Sequence, residues 1–230
     1  MAILKWDETG DRLYELGVDH GVVYPWDDDA DDYGDGEAWN GLTSVSISSD
    51  GGEPNDLYAD NIQYATIMSN EKITASVEAY QAPAAFDAAD GAVSPVVGLK
   101  LRQQKRKMFG FVFRSRIGND TDDVDHGYKI HILYGCHASP TERSYETIND
   151  SPDAGTLSWD LSTLPVDVAG YKPCAYLEID STKANATKLE ALESTLFGSA
   201  NASATLPGPA DIITALTPPS GGGGGGQTGS

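Results

Sequence analysis

From Ile73 to Tyr80 the chain alternates without a break. Ile73, Ala75, Val77 and Ala79 fall on one side of an extended backbone, and Thr74, Ser76, Glu78 and Tyr80 on the other. Successive side chains of a strand point to opposite faces, so this pattern belongs to a strand with one face in a core and the other in water. The same period recurs where Leu157, Trp159 and Leu161 alternate with Ser158, Asp160 and Ser162, and where Ala175, Leu177 and Ile179 alternate with Tyr176, Glu178 and Asp180. Met108–Ile117 reads as a further strand. It leads through Gly118–Gly127, rich in turn formers, into Tyr128–His137, whose Tyr128, Ile130, Ile132, Tyr134 and Cys136 fall on one face. These two runs predict a β-hairpin with a long acidic tip. Shorter strands are expected near Val22 and Val45, with turns at Ser49–Gly52 and Asn149–Pro152.

One segment has a helical period instead. Asn185 can cap it, Leu189, Leu192 and Leu196 form the apolar stripe, and Gly198 supplies the stop, which predicts a helix over Ala186–Phe197. The expected class is therefore mainly β (α+β), a sheet-rich body with one packed helix. With 230 residues and 40% hydrophobic composition the chain can bury a core as a single domain, here taken as residues 1–216. Within it, about 1–20 is expected to be an N-terminal arm and about 26–37 an acidic loop. A short apolar piece, Ile212–Leu216, can still dock. Residues 217–230 are Pro/Gly-rich and are expected to be flexible, either as a linker to another domain or as an expression remnant.

No window approaches the run of about 18 apolar residues that a membrane helix needs, so no membrane anchor is expected. Acids follow at once on the short N-terminal apolar run, which predicts a protein made and kept in the cytoplasm. Cys136 and Cys174 lack metal-motif spacing and read as buried free thiols.

Charge narrows the function. Fifteen Lys+Arg against 35 Asp+Glu give a net charge of -20, which disfavours any protein that grips the phosphate backbone, though not one that lets nucleic acid slide past. Seven of the 15 basic residues fall between Lys100 and Arg116, including Lys105, Arg106 and Lys107 in succession, and Asp27–Glu37 holds seven acids. Such opposed patches can complement each other between identical copies, or can be two solvated loops.

No catalytic constellation is found. GxSxG, Walker A and GxGxxG are all missing. Calcium loops begun at Asp31 or Asp120 fail at the positions where ligands are required. His126, His131, His137 and Cys136 suggest zinc only superficially, because strand geometry puts Cys136 opposite His131 and His137. No catalytic, cofactor-binding or metal residue is assigned, and no cofactor is expected. Trp6, Trp26, Trp39, Trp159, Tyr128 and Tyr134 could make a sugar-stacking platform, but more often such residues are core and interface anchors.

Several runs, in order, resemble the major tail (tail-tube) proteins of long, non-contractile-tailed bacteriophages. They include Lys5–Glu15, Gly17–Gly21, Ala38–Thr43, Glu53–Ile62 and Val77–Tyr80. The most specific is Phe109–Asp120 with His126–His131, followed by Ser144–Asp153, Gly170–Pro173, Ile179–Lys183 and the Leu189–Gly198 helix. The resemblance spans about residues 3–216; the acidic Asp27–Asp35 loop and the polyglycine tail depart from it. It implies a β-sandwich or partial-barrel subunit with one helix, completing a β-barrel with its neighbours. Hexameric rings of such subunits stack on a tape-measure protein, between tail terminator and distal tail proteins, into a virion conduit for DNA that is not specifically bound. On that reading Glu78, Asp160, Glu178 and Asp180 are candidate lumen-facing acids, and Lys105, Arg106 and Lys107 a candidate inter-subunit patch. A calcium-dependent carbohydrate-binding β-sandwich of adhesin type is the alternative, and an acidic DNA mimic a third.

Overall fold

Residues 3–145, 147–148, 150 and 154–218 are described by the structure, a computed structural model. The long strands β10 (Phe109–Asn119) and β11 (Asp123–Pro140) form its spine. Before them come β1 (Tyr14–Asp27), β2 (Asp32–Tyr33), β3 (Glu37–Trp39), β4 (Leu42–Asp50), β5 (Pro54–Ala59), β6 (Ile62–Met68), β7 (Lys72–Ala79), β8 (Val93–Val96) and β9 (Leu99–Leu101). After them come β12 (Leu157–Ser162), β13 (Tyr176–Asp180), α1 (Ala186–Leu196) and α2 (Pro209–Leu216). The protein is mainly β, as its alternation predicts, and its large antiparallel sheet does not close into a barrel.

That sheet runs β2-β1-β10-β11-β12-β7-β4, with β13 beside β11 and β3 beside β1. β11 belongs to both halves. Its first part pairs with β10 and β13, and its last four residues, His137–Pro140, pair with β12. The halves enclose a core in which Trp39 packs at a tilt against Phe86, centroids 4.5 Å apart, and lies 5.4 Å from Trp159. Aromatic contacts of this kind are worth about 0.5–1.5 kcal/mol each beyond their burial.

A second core lies on the other face of the β1–β10–β11–β13 half, where Val112, Ile130 and Ile132 meet Leu189, Leu192 and Leu196 of α1. The result is three layers, helices on sheet on sheet. The side chain of Asn185 accepts from Lys188 N at 3.2 Å, and Gly198, at φ +79°, ends the α1 turn.

Four details depart from the sequence-based expectations. Cys136 leaves the face of Tyr134 and joins the first core. Three residues step from Leu133 to Cys136 opposite only two from Phe111 to Phe109, so the strand bulges. Gly135 takes φ +59° there, where a Cβ would come within 2.5 Å of the Leu164 carbonyl oxygen. The bulge also reverses the histidine geometry: His131 packs on the first-core side, with Cys136, and His137 does not.

The hairpin tip is short rather than long. Asn119 Oδ1 accepts from Thr121 N (3.1 Å) and Asp122 N (2.5 Å), so the strands close directly at Asn119 and Asp123.

Two helices pack on the sheet, not one. Gly208–Pro209 starts α2, which fixes the first helical φ without losing a needed donor, and Ile212 is buried. The N-terminal arm ends sooner than residue 20, because Tyr14 already pairs with Gly118. The Asn149–Pro152 turn falls largely outside the described residues, as does most of the 217–230 tail, from residue 219 on.

Candidate assembly interface

Three apolar projections leave the body. The first is the hairpin of β5 and β6, a two-stranded sheet of its own. Only Asp60 and Asn61 join the strands, both with positive φ (53° and 64°), which is the backbone of a type I′ turn and matches the natural strand twist. Thr66 Oγ1 donates to Asp56 Oδ1 at 2.6 Å across the pair. Every residue of both strands is exposed, including Tyr58 at 70%, Ile62 at 64% and Tyr64 at 74%. A lone two-stranded hairpin is at best marginal in water, and this one spreads large apolar side chains into it.

The second is the hairpin of β8 and β9, with Val93, Val96, Val97, Leu99 and Leu101 all exposed. Its root, unlike its tip, is firmly held. Asp90, buried, receives Trp159 Nε1 at 3.0 Å on one oxygen and Arg143 (3.1 Å) and Arg102 on the other, while Lys100 reaches Asp87 at 2.6 Å. The third projection is the arm carrying the exposed Ile3, Leu4 and Trp6, pinned where Gly10 N meets Asp120 Oδ1 at 2.8 Å.

The basic run largely meets partners of its own chain. Lys107 pairs with Asp28 of the acidic loop at 3.1 Å, and Arg106 donates to the Ala138 carbonyl at 3.3 Å. Lys105 is exposed and makes no ion pair among the described residues.

The four candidate acids divide into two pairs. Glu78 and Asp160 stand on the outer face of the β4–β7–β12 half. Rows cross that face in register: Ser44, Glu78, Ser158; then Ser46, Ser76, Asp160, Ser139; then Ser48, Thr74, Ser162, His137. Glu178 and Asp180 are on β13, on the face that β10 and β11 turn away from the helices. There Lys129 binds Glu178 at 2.9 Å and also Glu15, and Lys183 binds Asp180 at 2.9 Å. Burial raises the Glu178 carboxyl, but Lys129, together with Tyr176 and His131, holds it below its ordinary value.

Beside Lys129 a polar relay was missed by sequence reasoning, because its members come from three strands. Ser115 Oγ meets His131 Nε2 at 2.8 Å, His131 Nδ1 meets Tyr176 Oη at 2.7 Å, and Tyr176 donates to Glu178 at 3.2 Å. The order resembles nucleophile, base and acid. Ser115 and His131 are however buried, and Phe113 stacks on the imidazole at 4.5 Å. The relay satisfies buried polar groups rather than presenting a nucleophile.

A cleft of about 390 Å³ opens on the opposite face, between α1 and the β10–β11 pair. Its Arg114 and Arg116 are already engaged by Asp19 at 2.7 and 3.4 Å. Among the described residues no group of three or more His, Cys, Asp or Glu is placed to hold a metal, and no helix is long and apolar enough to cross a membrane. Of the aromatics that could stack on sugar, Trp39, Trp159 and Tyr134 are core, and Trp26 packs edge-on against Tyr33 at 5.1 Å.

No family profile and no curated protein sequence matches the chain. Among solved structures it is similar to a cryo-EM structure of an extracellular contractile injection system, the PVC sheath–tube complex in its extended state. Identity is 13% over 70% of this chain and 88% of that one, with a TM-score of 0.32. A likeness of that size carries no functional weight of its own.

Proposed function

We propose that this chain is the repeating subunit of a phage tail tube, a structural virion protein that polymerises as stacked, hexameric rings around a tape-measure protein. Terminator and distal tail proteins would close the ends, and DNA would pass through without specific binding. The observation that carries the reading is the set of three apolar projections, the arm and the β5–β6 and β8–β9 hairpins, which the body of the monomer leaves uncovered. Covering such surface with further copies of the same chain removes it from water at about 25 cal/mol per Å² before the costs of association. An open edge supports it too. Among the described residues β4 pairs only with β7, so its outer edge offers a ladder to a neighbouring strand. A sugar-binding module is less well supported, since Trp39, Trp159 and Tyr134 are committed to the core.

Negative-stain microscopy and sedimentation of the purified full chain at high concentration test the proposal. Rings or tubes without added cofactor are expected. A strict monomer, with or without tail partners, would sink it.

A further inference from the structure

The face of the sheet that carries Glu78 and Asp160 has a composition unlike the others. Its three rows, laid across β4, β7, β12 and the end of β11, consist of serine and threonine hydroxyls with those two acids and His137. None of these residues is buried. No lysine or arginine stands in the rows; Lys72 lies one row beyond, opposite Asp50. The acids are little engaged, with Glu78 accepting one hydrogen bond from Ser44 at 3.1 Å.

The remaining faces differ in the respect that matters to a passing polyanion. The helix side carries Arg114 and Arg116 around its cleft, both paired with Asp19, and the β10–β11–β13 face carries the exposed Lys183 near Lys129, which Glu15 and Glu178 hold. Cations bind phosphate and release counterions, so a wall that carries them slows a sliding nucleic acid. Hydroxyls are small and uncharged, and exchange hydrogen bonds with water as readily as with a ligand. Two acids per copy, repeated around a ring, add an even and weak repulsion.

We infer that this hydroxyl face of β4–β7–β12 is the wall turned to the translocated polyanion, and that the Glu178/Asp180 face is not. The assignment rests on the tube reading above. It selects one pair of acids from the four by the single criterion that their rows hold no lysine or arginine.

Thiol labelling of the full chain tests it. In a Cys174→Ser background, Ser76→Cys is placed at the centre of the face and Thr187→Cys at an exposed position in the first turn of α1 as an outer control. Free and polymerised protein are treated with a small maleimide and with a maleimide on a large polyethylene glycol. The expected result is that Ser76→Cys takes both reagents when free and only the small one in the polymer, while Thr187→Cys takes both throughout. Polymer in which Ser76→Cys takes both reagents puts the face outside, and polymer in which it takes neither makes it a contact between copies; either overturns the assignment alone. If Ser76→Cys alone fails to polymerise, Ser46→Cys in the same row is read instead, and failure of both marks a contact. A background chain that never polymerises overturns the tube reading, and the assignment with it.

Discussion

The indole Nε1 of Trp159 donates to Oδ1 of Asp90 at 3.0 Å, which fastens the root of the β8–β9 hairpin to the centre of the core. Trp159 is 1% exposed, and the carboxylate it meets also gathers Arg102 and Arg143. Asp90→Ala leaves an indole N–H and two guanidinium groups short of a partner. It is expected to destabilise the fold by about 2 kcal/mol or more, with faster proteolysis within 93–101. Thermal denaturation and limited digestion check both.

Gly135→Ala should be costly for a protein change so small. The new Cβ meets the Leu164 carbonyl oxygen at 2.5 Å, in a backbone region that L residues avoid. A loss of about 2–3 kcal/mol is expected in urea unfolding, with an unchanged slope.

Stability should fall early on acidification. Burial pushes the His131 imidazole below its ordinary 6.5, against the pull of Glu178 and Glu15 and with the help of Lys129. The unfolded chain takes up a proton as pH drops through 6.5 and the folded chain only lower down, so stability is full above 6.5 and declines beneath it. Glu178, whose folded value is depressed, adds a further loss only below its ordinary 4.5. The melting temperature should therefore fall between about pH 7 and pH 5, and His131→Gln should flatten that segment of the profile. An unchanged slope in the variant would refute the attribution.

On the proposed tube function, replacing Ile62, Tyr64 and Ile67 together with serine should abolish polymerisation. The monomer melting curve should hardly move, by about 0.5 kcal/mol or less per site, because all three side chains are exposed. Sedimentation of the variant beside circular dichroism separates the two effects.

Lys105→Glu is a cleaner probe of inter-subunit charge than reversal of Lys105, Arg106 and Lys107 together, because it spares the Lys107–Asp28 pair and the Arg106–Ala138 hydrogen bond. Impaired assembly with an intact monomer fold is expected, read by light scattering at low salt. Normal polymers would remove Lys105 from the interface.

The half-buried strands were legible because their environment is two-sided. Ala75 and Val77 are buried while Glu78 is exposed, and the period of two records that contrast. The β5–β6 hairpin has no such contrast, being wet on both faces, and Asp60–Asn61 lacks the glycine that usually marks its turn. Pro95 lacks a donor for a ladder, so local rules do not mark β8 as a strand, though an unsupported hairpin tolerates it. β1 reads as only a short strand near Val22 because Gly17 and His20 take positive φ and break its alternation. The acids on Glu78 and Asp160 could each be placed facing outward. Their arrival on one face depends on β7 pairing with β12, a long-range juxtaposition that no local period encodes.

The 18 residues of β11 serve both halves of the sheet, and this decides how the folded chain bears load. A pull along that strand reaches each half through covalent bonds, and it stresses the ladders to β10, β13 and β12 in shear, where many hydrogen bonds resist at once. The two outlying hairpins have only one ladder each, and a force at their tips can open it bond by bond. Under tension the body should stay rigid while those hairpins give first.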